Sequence, residues 1–201
     1  MWIKICGMTT PDALAAALEA GADALGFVFA PSPRQLTPEA AVQLARPVRG
    51  RLTCVAVTHH PAQRALDEVL RVFRPDVLQT DAADLADLVL PEALGLLPVV
   101  RSGEPPPEAL PPRLLFEGPV SGAGSTVDWI AARRLSQRTQ LVLAGGLDSG
   151  NVAAAIAAVQ PYGVDVSSGV EARPGVKHPL KILQFVAAAR AAAATLPRDE
   201  S

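Results

Sequence analysis

Two short turns late in the chain, Ala144-Gly145-Gly146 and Ser167-Ser168-Gly169, carry the residue types of an anion cradle. Glycine lets the backbone approach a phosphate without a Cβ in the way, and Ser168 adds a hydroxyl where a further helical turn can begin. Such glycines after strands also serve as plain turns, so either one alone leaves both readings open. Cys6 closes an apolar run and is followed by Gly7. At the mouth of a fold its thiol can act as base or nucleophile, if cations or helix N-termini favour the thiolate. The other reading is a small buried hydrophobe, which is the one assigned to Cys54 within residues 52–57. Asp128, just inside a helix, is either an acid group or a first-turn residue complementing the helix dipole. Arg34, in Ser32-Pro33-Arg34, has the planar fork that suits a carboxylate or phosphate, and a solvated loop cation would read the same. Asp165 either orients a substrate hydroxyl or satisfies buried partners. His59 and His60 are adjacent on a loop and would point apart, a poor metal pair, so no catalytic metal is expected.

Positioning these groups takes a repeated scaffold. Short β-branched and aliphatic runs alternate with longer Ala/Leu-rich segments, the pattern of βα units around a parallel sheet. Strands are expected at residues 2–6, 24–29, 52–58, 77–79, 97–101, 114–117, 140–144 and 163–167. Thr10-Pro11 and Thr37-Pro38 each put a capping hydroxyl before a proline suited to the first helical position, and Gly21 suits a helix end. Asp148 or Ser149 suits the start of a seventh helix, with Val152, Ile156 and Val159 on one face. Residues 102–113 carry five prolines, which predicts a loop or short turn in place of the fifth helix. Eight units without a G-x-G-x-x-G turn after the first strand favour an α/β fold of the TIM type, a (β/α)8 barrel, over an open dinucleotide-binding sheet. In such a barrel chemistry sits at the C-terminal strand ends, and phosphate at the last two. The candidate groups fall there.

Composition narrows the partners. The 201 residues are 49% hydrophobic, with no linker-like stretch, so residues 1–201 are expected to form one domain. A net charge of −2 with interspersed signs argues against nucleic acid, and no apolar stretch nears the roughly 20 residues of a membrane span. The first residues read as a strand and not a signal peptide, so a cytoplasmic location with two free thiols is expected.

The motifs together resemble phosphoribosylanthranilate isomerase, an enzyme family of tryptophan biosynthesis. The resemblance runs from Lys4-Ile5-Cys6-Gly7-Met8-Thr9 through Gly26-Phe27-Val28-Phe29, Ser32-Pro33-Arg34, Asp128-Trp129 and Leu143-Ala144-Gly145-Gly146-Leu147. It ends in Gly163-Val164-Asp165-Val166-Ser167-Ser168-Gly169-Val170-Glu171 and Pro174-Gly175-Val176-Lys177.

The resemblance implies an Amadori rearrangement of N-(5′-phosphoribosyl)anthranilate with no metal or organic cofactor. It makes Cys6 the general base, Asp128 the general acid, Arg34 the binder of the anthranilate carboxylate, and Gly145, Gly146, Ser168 and Gly169 the phosphate site. Aspartate is almost wholly ionised at neutral pH when unperturbed. The acid role therefore implies burial of Asp128 under substrate, and the thiol must move toward the thiolate. Three stretches depart from the family pattern: Gln79-Thr80-Asp81 where Gln-Leu-His-Gly is frequent, Phe116-Glu117, and Ser121-Gly122-Ala123-Gly124 where Gly-Gly-Thr-Gly is usual. These alter the walls near the aromatic ring. A histidine-pathway isomerase would place aspartate where Cys6 stands, and a pentose-phosphate epimerase would need metal-binding histidines. A non-catalytic phosphate-ligand barrel is the remaining alternative. Monomer and homodimer are both compatible with the family.

Overall fold

The computed structural model describes residues 1–118 and 127–196. Eight parallel strands close into a barrel in sequence order: β1 (Trp2–Cys6), β2 (Ala24–Val28), β3 (Thr53–Val57), β4 (Val77–Asp81), β5 (Gly95–Arg101), β6 (Arg113–Glu117), β7 (Gln140–Leu143) and β8 (Gly163–Val166). Closure is made where β1 pairs with both β2 and β8. Six α-helices are described outside it: α1 (Pro11–Glu19), α2 (Pro38–Ala45), α3 (Gln63–Val72), α4 (Trp129–Ser136), α5 (Val152–Val159) and α6 (Pro179–Ala194). None among the described residues is long and apolar enough to cross a membrane.

The helix starts follow their local chemistry. Thr10 and Thr37 accept hydrogen bonds from the amides of Ala13 and Ala40, and a proline stands in the first turn of each helix. Gly21, at φ +75°, supplies the left-handed residue beyond α1. Val152, Ile156 and Val159 lie on the buried face of α5. Asp148 organises the preceding turn, accepting from the amides of Gly150 and Asn151, one turn before the helix begins.

Two units depart from the regular alternation. Residues 102–112 form no helix, as their prolines require. After β4 there is only a 3₁₀ segment, Ala82–Ala86. Strand β4 also runs two residues further than expected, pairing Thr80 with Pro98 and Asp81 with Val99. The two added residues are paired: Thr80 Oγ1 donates to Asp84 of the 3₁₀ segment at 3.1 Å, and Asp81 accepts from Arg101.

Strand alternation divides the core. Ile3 and Ile5 of β1 pack with the helices in the main apolar cluster, while Trp2 turns inward beside Val77, Leu97, Leu115 and Val142. This inner layer plugs the barrel floor. Above it the inward positions turn polar, and the cavity begins.

Candidate active site

A cavity of ≈ 410 Å³ opens at the C-terminal strand ends. Its walls include Cys6, Arg34, Gly145, Gly146, Asp165 and Ser168, residues expected from the sequence to carry chemistry. Gly145 and Gly146 have φ of +89° and +62°, a backbone that side-chain-bearing residues rarely adopt. Gly169 contributes differently. A Cβ there would run into the Leu147 carbonyl oxygen, so this glycine allows the 3₁₀ turn Ser168–Val170 to press against the loop after β7. The two turns thus lie side by side.

Cys6 ends β1 and is 7% exposed. Burial pushes its thiol up, against the opposing ammonium groups of Lys4 and Lys177. The sequence expectation of a depressed thiol is therefore corrected: the cations are present, but desolvation outweighs them.

Gly7 follows with φ +78°, and a Cβ on it would collide with Arg34 Cδ. The Arg34 stem therefore lies across the end of β1. Its guanidinium is held by Glu171, with Nε donating to Oε1 at 2.7 Å and Nη2 to Oε2 at 3.0 Å. Lys177 donates to the same Oε1 at 3.0 Å and to the Ser167 carbonyl at 2.9 Å. Glu171 and Lys177 belong to a hairpin, β9 (Glu171–Arg173) and β10 (Val176–Lys177), whose Gly175 packs on Pro33. Burial alone would raise the Glu171 carboxyl, yet Arg34 and Lys177 hold it below the usual carboxylate range. Burial keeps Lys177 below the usual lysine range in spite of Glu171.

Asp165 lines the cavity and accepts a 2.8 Å bond from Lys4 Nζ, so it has a buried partner. Asp128 is placed otherwise than expected. It is exposed and stands as the N-cap of α4, not inside the helix, with Oδ1 accepting from the amides of Ile130 and Ala131. It is not among the described residues of the cavity wall. The Ser121-Gly122-Ala123-Gly124 stretch lies outside the described residues.

Opposite the two glycine turns the wall is charged. Arg101 reaches Asp81 Oδ1 through Nη2 and Glu117 Oε1 through Nη1, both at 2.5 Å, and His59 Nδ1 lies 2.6 Å from Asp81 Oδ2. Burial would raise Asp81, but His59 and Arg101 outweigh it and hold the carboxyl low. Ligand atoms of His59, His60 and Asp81 all lie within 4.8 Å of one another. His60 is engaged by Asp84, and Asp81 by the Arg101 guanidinium, whose charge opposes a second cation at that carboxylate.

Sequence reasoning missed Lys4, Arg101, Glu171 and Lys177 as parts of the site. The available signal was charge inside apolar strands: Lys4 stands two residues before Cys6, and Arg101 ends β5.

The sequence model of the N-(5′-phosphoribosyl)anthranilate (PRA) isomerase family matches residues 3–188. The chain belongs to this family. It is 39% identical to the N-(5′-phosphoribosyl)anthranilate isomerase of Azorhizobium caulinodans, over 96% of this chain and 92% of that one. Among solved structures, the phosphoribosyl anthranilate isomerase of Thermus thermophilus superposes with a TM-score of 0.82 at 28% identity, covering 95% of this chain and 99% of that chain. A phosphoribosyl anthranilate isomerase in complex with reduced 1-(o-carboxyphenylamino)-1-deoxyribulose 5-phosphate gives a TM-score of 0.77, with the same 28% identity and the same coverage of 95% and 99%. Membership of the isomerase family accounts for the closed barrel and for the motif-bearing strand ends together.

Proposed function

We propose that this chain converts N-(5′-phosphoribosyl)anthranilate to 1-(2-carboxyphenylamino)-1-deoxyribulose 5-phosphate by general acid–base catalysis, with residues 1–201 working as one domain. One observation carries the residue assignment: the same cavity joins the Cys6 strand end, the two glycine turns and Arg34. That arrangement suits a ligand with phosphate at one end and a carboxylate at the other.

The phosphate binds at Gly145, Gly146 and the Ser168-Gly169 turn, and Arg34 takes the anthranilate carboxylate. A proton is given to the furanose ring oxygen, the role the family resemblance assigns to Asp128 although its carboxyl is exposed at the α4 N-cap and outside the described cavity wall, and the ring C–O bond breaks to leave a Schiff base. The Cys6 thiolate removes the C2 proton, forming an enolamine. The enolamine then tautomerises to the ketone, C1 gaining a proton as the C2 hydroxyl loses one to solvent. The thiol begins neutral in its buried site, so turnover rises with pH as the thiolate forms.

The test is loss of substrate fluorescence under turnover. Wild type is expected to turn over, and Cys6→Ala to lose roughly 10²–10⁴ in kcat, the usual worth of a positioned base. Binding without turnover in the wild type would leave a phosphate-ligand barrel and sink the isomerase reading. Near-normal kcat in Cys6→Ala would remove only the base assignment.

A further inference from the structure

A charged side chain enclosed inside a barrel calls for a reason. Lys4 is 0% exposed. It precedes Cys6 by two residues on β1, so both side chains leave the same face of the strand. Its Nζ donates to Asp165 Oδ1 at 2.8 Å, across the β1–β8 seam where the two residues are register partners. On the other side β2 supplies Gly26, the register partner of Cys6. A Cβ at Gly26 would lie 2.9 Å from Cys6 Sγ and 3.2 Å from Lys4 Cε. One glycine therefore makes the space in which the thiol and the end of the lysine lie side by side. Stability alone is a weak reason to keep such a group, because apolar replacements of buried ion pairs are often as stable.

We propose that Lys4 is a positioning residue whose ammonium makes the Cys6 thiolate attainable within the barrel, and that Asp165 sets the strength of that effect by holding and partly neutralising it. This rests on the reading of Cys6 as the base. The charged groups that face Cys6 are Lys4 on its own strand, Asp165 on β8 and Lys177 on β10. Burial raises the thiol, Lys4 and Lys177 oppose that, and Asp165 adds to it. Burial also works against the Lys4 charge, but Asp165, and Cys6 once it is a thiolate, outweigh it, and the lysine keeps its proton more tightly than usual. Lys4 thus transfers no proton. Cys6 loses its own to solvent in the cavity, and as thiolate accepts one from C2.

The two partners must then act on Cys6 with opposite signs. In a Cys54→Ala background Cys6 is the sole thiol, since the chain has two cysteines. Thiolate absorbance of the ligand-free protein is followed against pH. Its midpoint should rise by about one pH unit or more in Lys4→Met and fall by a similar amount in Asp165→Asn. Alkylation at neutral pH should slow about tenfold in the first and quicken in the second, because a midpoint one pH unit higher leaves about a tenth of the thiolate. The low-pH limb of kcat/KM should move with the thiol in each variant that turns over. A pair that only supports the barrel would move both variants in one direction or neither. Either result, in folded protein, overturns the proposal. Should Lys4→Met fail to fold, Lys4→Gln in the Asp165→Asn background, which leaves no unpaired buried charge, decides: its midpoint should lie above that of Asp165→Asn alone, and an unchanged midpoint overturns the proposal. The titration needs no turnover, so it stands apart from the Cys6→Ala assay that tests the base itself.

Discussion

Arg34, proposed above to take the carboxylate, is held in place before any ligand arrives. A free arginine would lose rotamer freedom on binding a carboxylate, whereas the bidentate contact with Glu171 fixes its fork in advance. Glu171 is fixed in turn by Lys177, which also ties the hairpin to Ser167 of the second glycine turn. Glu171→Gln should raise KM about tenfold or more with a smaller effect on kcat, as steady-state kinetics would read, since one charge-assisted bond is worth about 1.5–3 kcal/mol. Equal losses in kcat and kcat/KM would speak against a binding role. The same residue makes an acid-stability prediction. Its folded pKa is lowered, so the unfolded chain binds the proton more readily. Its contribution is present above the unfolded value near 4.3 and fades as pH falls through the folded one. Acid melting curves should be flatter below about pH 4 in Glu171→Gln than in wild type.

At the scale of elements, loops and helix ends carry chemistry and structure at once, and substitutions can separate the two. Asp128 caps α4, and asparagine caps about as well. Asp128→Asn should therefore stay within about 0.5 kcal/mol of wild type in stability while losing turnover by orders of magnitude, whereas Asp128→Ala should also lose about 1 kcal/mol. Near-normal kcat in Asp128→Asn would end its acid role. Gly169→Ala meets the Leu147 carbonyl and must part the two glycine turns, so, if these hold the phosphate as proposed, phosphate inhibition should weaken more than stability falls. Competition assays with inorganic phosphate, read beside melting curves, check this.

At the scale of the whole molecule, the barrel must be held shut where its first and last strands meet. Arg190, near the end of α6, donates to the Gly21 carbonyl at 2.9 Å, to Asp23 Oδ2 at 2.8 Å, and to the Met1 carbonyl. Asp23 also accepts from the Ile3 amide at 2.8 Å. This clasp ties the last helix to the β1–β2 corner far from the cavity. Because the pair is well exposed, Arg190→Met should cost only about 1 kcal/mol in urea melts, with less effect at high salt, and should leave kcat unchanged. A large fall in kcat would show that closure reaches the site.

The sequence by itself determined the eight strand positions, the capped starts of α1 and α2, the missing helix after β5, and the ends of the barrel where Cys6, Arg34 and the glycine turns would meet. Those features are local: they follow from side-chain period, capping hydroxyls, proline and glycine backbone preferences. Tertiary structure decided the rest. The sequence marked Asp165 as ambiguous, and only the β1–β8 register set it against Lys4. It read Gln79-Thr80-Asp81 as a departure, and only the neighbouring strands showed Asp81 bound by Arg101 and His59. It expected cations to depress the Cys6 thiol; the cations are there, but burial outweighs them. Partners brought together across 161 residues, and the dielectric of the space they share, are properties of the closed barrel and of no segment within it.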